Sequence, residues 1–184
     1  MFKFKNYDFK KYSVSLLLIV ITLISIGVFL IMKVDPDSYK KQIIGLFGGL
    51  LIAGIVSLFD YHFICKFYIV LYLINLVLLV LVKLVGVEYL NAQRWLDLKF
   101  FDLQPSELTK IIIILFYAKL FTVFEHKINS IIFLMITIVL MAIPTYLILT
   151  QTDLSTSIVL LLIFVILVFA AGLSWKIILP ILVL

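Results

Sequence analysis

Three short segments hold the residue types that can do chemistry in this chain. The first, Asn91-Ala92-Gln93-Arg94-Trp95-Leu96-Asp97, contains Arg94, the only arginine; every other basic residue is a lysine. The second, Gln104-Pro105-Ser106-Glu107-Leu108-Thr109-Lys110, opens a long apolar run with a carboxylate and an amine three positions apart. The third, Gln151-Thr152-Asp153-Leu154-Ser155-Thr156, places one carboxylate just before another apolar run. Charged groups at or inside an apolar span are costly, so they tend to face a polar cavity and mark a site. On that reading Glu107, Lys110 and Asp153 share one charged cavity, with Asp153 near Lys110 and Arg94 beside it. A plainer reading is available for each. Pro105 suits a first helical position, Glu107 the third, and Lys110 an ion pair on the same helix face. Asp153 suits an N-cap. Trp95 suits an interfacial belt, and Arg94 a lipid phosphate.

Those segments lie between elements that belong in a bilayer. Of 184 residues, 65% are hydrophobic and 14% charged, and the mean hydropathy is +1.30. Soluble domains are nearer 45–50% apolar and about 25% charged. This composition excludes a disordered chain and a soluble globule. A single cysteine, Cys65, excludes a disulfide scaffold. The net charge of +5 comes without a basic stripe interleaved with aromatics, so nucleic acid is not expected as a partner. The lysines flank apolar runs, as expected for anchoring at lipid headgroups.

Six runs are near the roughly 17–25 residues that cross a bilayer: 14–32, 43–59, 67–87, 107–124, 128–149 and 154–173. The expected fold is an all-α polytopic membrane protein, a single membrane domain of six transmembrane helices plus the start of a seventh over 177–184. That last run is too short to cross, which points to a truncated chain, with a short tail lying along the interface as the alternative. The second run carries Gly45, Gly49 and Ala53 at every fourth position, a spacing that lets membrane helices approach closely. Lysines near the N-terminus favour an N-terminus on the cytoplasmic side, which places the three chemistry-bearing segments outside. His62 and His126 lack metal-ligand spacing, and no metal site is assigned. Asp35 and Asp37 flank Pro36 as turn residues. No phosphate-binding glycine loop, dinucleotide fingerprint or serine-hydrolase motif is present.

With Gln-Arg-Trp-Leu at 93–96, Gln-Pro-Ser-Glu at 104–107 followed by Lys110, and Pro144, Gln151, Asp153, Leu154 and Thr156 further on, the chain resembles the RodA/FtsW/SpoVE family over nearly its whole length. Gly172-Leu173-Ser174-Trp175 leans toward the RodA branch. Asn91 replaces a usual glycine, and Thr152 and Ser155 replace a proline and a glycine of the second block. The resemblance implies a peptidoglycan glycan-strand polymerase of cell elongation, acting on an undecaprenyl-linked precursor at the outer face of the bacterial cytoplasmic membrane. It implies a class B penicillin-binding protein as partner, and it allows a divalent cation, magnesium or manganese. It further implies that Arg94, Gln104, Ser106, Glu107, Lys110 and Asp153 belong to the outer substrate cavity, Arg94 and Lys110 holding diphosphate. The family's catalytic aspartate is expected beyond Leu184, so the chain alone is expected to make no polymer. A precursor flippase or transporter, and a non-enzymatic membrane scaffold, are the competing functions for the same cavity.

Overall fold

The computed structural model describes residues 13–35, 39–89, 92–97 and 102–173. The elements in order are α1 (Val14–Val34), α2 (Tyr39–Ser57), α3 (Tyr61–Cys65), α4 (Tyr68–Val85), β1 (Val87–Tyr89), β2 (Ala92–Asp97), β3 (Asp102–Leu103), α5 (Pro105–Val123), α6 (Ile131–Leu149) and α7 (Leu154–Ala170). A 3₁₀ turn, Glu125–Lys127, leads from α5 toward α6. The chain is a helical, multi-pass membrane protein.

Among the described residues, four helices are long and apolar enough to cross a bilayer: α1, α2, α4 and α6. The sequence-based count of six is therefore reproduced only in part. The physical reason lies in the other two helices. Glu107, Lys110 and Lys119 interrupt α5, and α7 is 17 residues long. The short run 177–184 lies outside the described residues, as do Ser174 and Trp175. Two elements differ from the sequence expectation. Tyr61–Cys65 forms a short separate helix, and the segment after α4, read as a loop, folds into a three-stranded antiparallel sheet.

The chain divides into two compact units, Met1–Asp60 and Tyr61–Leu184. In the first, α1 and α2 pack on each other, yet neither has a buried residue. Side chains such as Leu23, Phe29, Ile44 and Phe47 are exposed, which suits contact with lipid tails. The hydroxyls on α1 agree. Thr22 donates to the Leu18 carbonyl at 2.7 Å and Ser25 to the Ile21 carbonyl at 2.8 Å, so each is satisfied inside its own helix where lipid offers no partner. The Gly45, Gly49 and Ala53 stripe was expected to be a packing face. In the structure, a Cβ placed on Gly45 or Gly49 would meet nothing within 4 Å. No neighbour among the described residues uses the close approach that these glycines permit.

The second unit has a core. Tyr72 of α4 stacks on Phe116 of α5, with centroids 4.4 Å apart, and Tyr117 of α5 meets Phe164 of α7 edge-on at 5.1 Å. Leu79, Ile113, Met141, Ile148 and Leu160 fill the space between these helices. Two tyrosine hydroxyls then reach α6. Tyr117 donates to the Thr137 carbonyl at 2.8 Å, and Tyr72 to the Leu140 carbonyl at 2.7 Å. The second bond answers a specific vacancy in the helix ladder. The Leu140 carbonyl would accept from the N–H four residues on, but that residue is Pro144, which has none. Tyr72 supplies the missing donor from the neighbouring helix, which is how a proline is tolerated inside a membrane helix.

This pairing predicts a measurable coupling. Tyr72→Phe leaves the Leu140 carbonyl without a donor and should destabilise the protein by about 1–3 kcal/mol. Pro144→Ala restores an N–H to α6, so in that background the same tyrosine change should be milder. Thermal unfolding of the four proteins in detergent gives the coupling, and additive effects would show that Tyr72 does not serve the proline gap.

Candidate functional site

The site is built on one end of the second unit. Gly86 ends α4, and a side chain there would collide with the Val82 carbonyl oxygen. The chain turns into β1, which pairs with β2 in the register Val87↔Trp95 and Glu88↔Gln93, with an irregularity between Val87 and Glu88. β2 pairs with β3 through Leu96↔Leu103 and Asp97↔Asp102. The sheet packs on α4 and α5 through β2, and β3 delivers the chain to Gln104 and the start of α5. Val87, Trp95 and Leu96 are the branched and aromatic residues that suit a half-buried pleated surface.

The opposite wall is the turn between α6 and α7. α6 closes with the Thr152 N–H on the Leu149 carbonyl at 3.0 Å and the Asp153 N–H on the Ile148 carbonyl at 3.4 Å. That pattern is a Schellman cap, and it needs a left-handed residue at Thr152, whose φ is 60°. Glycine suits this position, and threonine, branched at Cβ, is strained there. The next helix ends in the same pattern with Gly172, φ 87°, in the left-handed place. Asp153 then caps α7: its Oδ1 accepts from the Thr156 N–H at 3.1 Å and its Oδ2 from the Thr156 hydroxyl at 2.8 Å. The buried Gln151 side chain donates to the Leu79 carbonyl of α4 at 3.1 Å and ties the turn to the bundle.

Arg94 crosses from the sheet to this turn. Its Nη2 donates to the Thr152 carbonyl at 2.6 Å, and its Nε to the Gln151 carbonyl at 3.2 Å. The distance from its Nη1 to Asp153 Oδ1 is 4.0 Å. The carbonyl bonds dominate, because a 4.0 Å pair involving a partly exposed guanidinium is well screened. The charge also suits the place, since the carboxyl end of α6 carries partial negative charge. Gln104 Nε2 lies 3.5 Å from Asp153 Oδ2, a weak third link. Arg94 and Gln104, ten residues apart, therefore meet Asp153 from a distant stretch of chain.

Glu107 and Lys110 make a separate pair. Lys110 Nζ is 2.9 Å from Glu107 Oε1 and 2.8 Å from Oε2. Asp153 was expected near Lys110. Among the described residues its partners are instead Thr156, Gln104 and Arg94, while Lys110 is held by Glu107. The reason is local: the N-cap geometry turns the Asp153 carboxylate back onto its own helix. Glu107 is the most exposed member at 57%, and Lys110 keeps 29% of its side chain open. Ser106 differs from both. It is buried, and its Oγ has no partner among the described residues.

Beneath Ser106, the Thr109 hydroxyl lies 2.8 Å from Asn75 Oδ1 and 2.9 Å from the Pro105 carbonyl. One hydroxyl proton cannot serve both acceptors. The amide is better oriented with its nitrogen toward Thr109, which then donates to Pro105, and this also gives the otherwise unpartnered Asn75 Nδ2 an acceptor. Asn75 and Thr109 were not chosen as site residues from the sequence. A lone amide inside an apolar run was the available signal for the first. Among the described residues, no three His, Cys, Asp or Glu side chains gather, and Glu107 and Asp153 are each already paired. The described residues do not by themselves form a divalent-cation site. Cys65 is half-buried and unbridged.

A family model for cell cycle proteins of the FtsW/RodA/SpoVE type matches residues 7–184. The chain is 32% identical over 183 residues to a probable peptidoglycan glycosyltransferase FtsW of Trichlorobacter lovleyi, covering 91% of this chain and 48% of that protein. Its fold matches the crystal structure of the rod shape determining protein RodA of Thermus thermophilus, with a TM-score of 0.81 and 29% identity, covering 95% of this chain and 58% of that one. It also matches a chain from a peptidoglycan synthase complex described as coordinating polymerization and crosslinking, with a TM-score of 0.84 and 30% identity, covering 94% and 51%. The chain thus spans about half the length of the relatives it matches.

The turn geometry predicts two stability effects. Asp153→Asn keeps a capping oxygen, whereas Asp153→Ala loses it, so the alanine variant should unfold about 1 kcal/mol more easily than the asparagine one. Equal melting temperatures would show that the cap contributes nothing. Thr152→Gly removes the left-handed strain and should stabilise the protein by about 1 kcal/mol. A fall in melting temperature would mean that the threonine hydroxyl, which donates to the Gln151 carbonyl at 2.6 Å, outweighs the strain.

Proposed function

This chain belongs to the FtsW/RodA/SpoVE family, and we propose that it forms the precursor-facing half of a peptidoglycan glycan-strand polymerase. The observation that carries this reading is the meeting of Arg94, Gln104 and Asp153 beside the exposed Glu107–Lys110 pair, at one end of a helical bundle. The substrate class is a polyprenyl-linked disaccharide diphosphate. Its tail suits the lipid around the helices, and its diphosphate suits a cation at the membrane surface.

The geometry supports a division of labour. Arg94 donates from Nε and Nη2 to the carbonyls of Gln151 and Thr152, so it holds sheet and turn together, while its Nη1 makes no hydrogen bond with a described residue. Lys110, with the Nη1 side of Arg94, is assigned to the diphosphate, and Glu107 sets the direction of Lys110. In the transfer, a sugar hydroxyl attacks the anomeric carbon of a neighbouring precursor, the carbon–oxygen bond to diphosphate breaks, and the leaving diphosphate takes up negative charge. A lysine ammonium aimed at that charge lowers the barrier. The hydroxyl proton passes to a base that this reading assigns to none of the described residues. We place the chain in the bacterial cytoplasmic membrane, N-terminus inside and sheet outside, working with a class B penicillin-binding protein.

A chimaera tests the reading. Residues 7–184 would replace the aligned part of the Thermus thermophilus relative, and the purified product would be given lipid-linked precursor. Glycan strands are expected. Lys110→Ala should lower their rate roughly 100-fold while leaving the melting temperature nearly unchanged, because an exposed pair contributes about 0–1 kcal/mol. A folded chimaera without product would overturn the reading. Full activity in the Lys110→Ala form would remove Lys110 from it.

A further inference from the structure

The other end of α5 and α6, away from the sheet, carries a groove that the proposed polymerase chemistry does not use. Its volume is about 510 Å³, within the range of ligand sites. Leu120 and Phe124 form one wall, Phe133, Ile136 and Leu140 another, and Lys127 lines its mouth. The Lys127 ammonium stands over the Phe124 ring, 5.7 Å from the centroid. It makes no ion pair with a described residue, and its neighbour Glu125 is not part of the lining.

The position of this groove restricts what fills it. α6 is long and apolar enough to cross a bilayer, so the turn that leads into it lies at a membrane surface. The apolar walls run from that surface along α6 toward the lipid tails, while the ammonium stays at headgroup height. An occupant must therefore be amphiphilic, with an apolar chain below and negative charge above. Ser130, also in the lining, begins α6 without a side-chain capping bond. The start of α6 adds partial positive charge at the same level.

We propose that this groove is a binding site for an anionic phospholipid, one acyl chain lying between α5 and α6 and the phosphate held by Lys127. The site is on the membrane face opposite to the sheet and is independent of the precursor chemistry. One lysine at a membrane surface, without an ion-pair partner among the described residues, gives a preference of about fivefold for an anionic over a zwitterionic headgroup.

The test uses the full chain in detergent, titrated with phosphatidylglycerol or phosphatidylcholine of identical acyl chains, with bound lipid counted by native mass spectrometry. The wild type should favour phosphatidylglycerol about fivefold. Lys127→Gln should bind both lipids alike, and Lys119→Gln should keep the preference. Ile136→Trp should weaken both by filling the groove, and its site is 51% exposed, so folding is not at risk. Equal binding by the wild type would overturn the proposal. So would a preference that survives Lys127→Gln, one abolished by Lys119→Gln, or binding unaffected by Ile136→Trp.

Discussion

A bilayer interior offers no hydrogen bonds, and this constraint shapes the second unit more than any single contact. Every polar group within a span must find its partner in the protein. Hydroxyls on Thr137 and Thr145 fold back to carbonyls of their own helix, at 2.7 and 2.8 Å. The hydroxyls of Tyr72 and Tyr117 go further and join separate helices. Of these, the bond from Tyr72 to Leu140 has the widest consequences, because it allows Pro144 to sit inside α6. The helix can then run on to the turn that holds Gln151 and Asp153. The donor comes from the same tyrosine ring that stacks on Phe116, so apolar packing and backbone satisfaction are one arrangement.

At the bilayer edge the balance changes, and charge becomes affordable. The turn after α6 presents carbonyls that a helix end leaves open, and Arg94 takes two of them. This use of the lone arginine is chemically apt. A planar guanidinium with several donors can bridge neighbouring carbonyls, whereas a lysine ammonium is a compact point charge. Strain at Thr152 fits this picture. Its left-handed backbone turns consecutive carbonyls toward one guanidinium, and the surrounding cap and hydrogen bonds hold it there.

The two ends of the α5–α6 pair therefore differ in kind. The end next to the sheet is a polar junction made by three chain segments. The other is a short turn with an apolar groove and one free-standing lysine. Both carry a cation near a helix end, one hydrogen-bonded to backbone carbonyls and the other beside an apolar groove.

Much of the helical layout was legible in the residues themselves. Hydropathy and capping act over neighbouring positions, so the run starting at Val14, the proline start of α5, the Glu107–Lys110 pair and the Asp153 cap were all open to reading. The span count was less so, because α5 carries Glu107, Lys110 and Lys119 and α7 has only 17 residues. The sheet was missed because its strands are short and their pairing is decided by chain segments folding together. The partners of Arg94 were beyond reach for a similar reason. Gln151 and Thr152 are far along the chain, and their contribution is backbone carbonyl, which has no residue type to read. The sequence alone determined which residues carry charge and which stretches belong in lipid, since both are properties of side chains in order. Only the tertiary structure decided which charge meets which partner, because that depends on helices packing side by side and on carbonyls that every residue possesses.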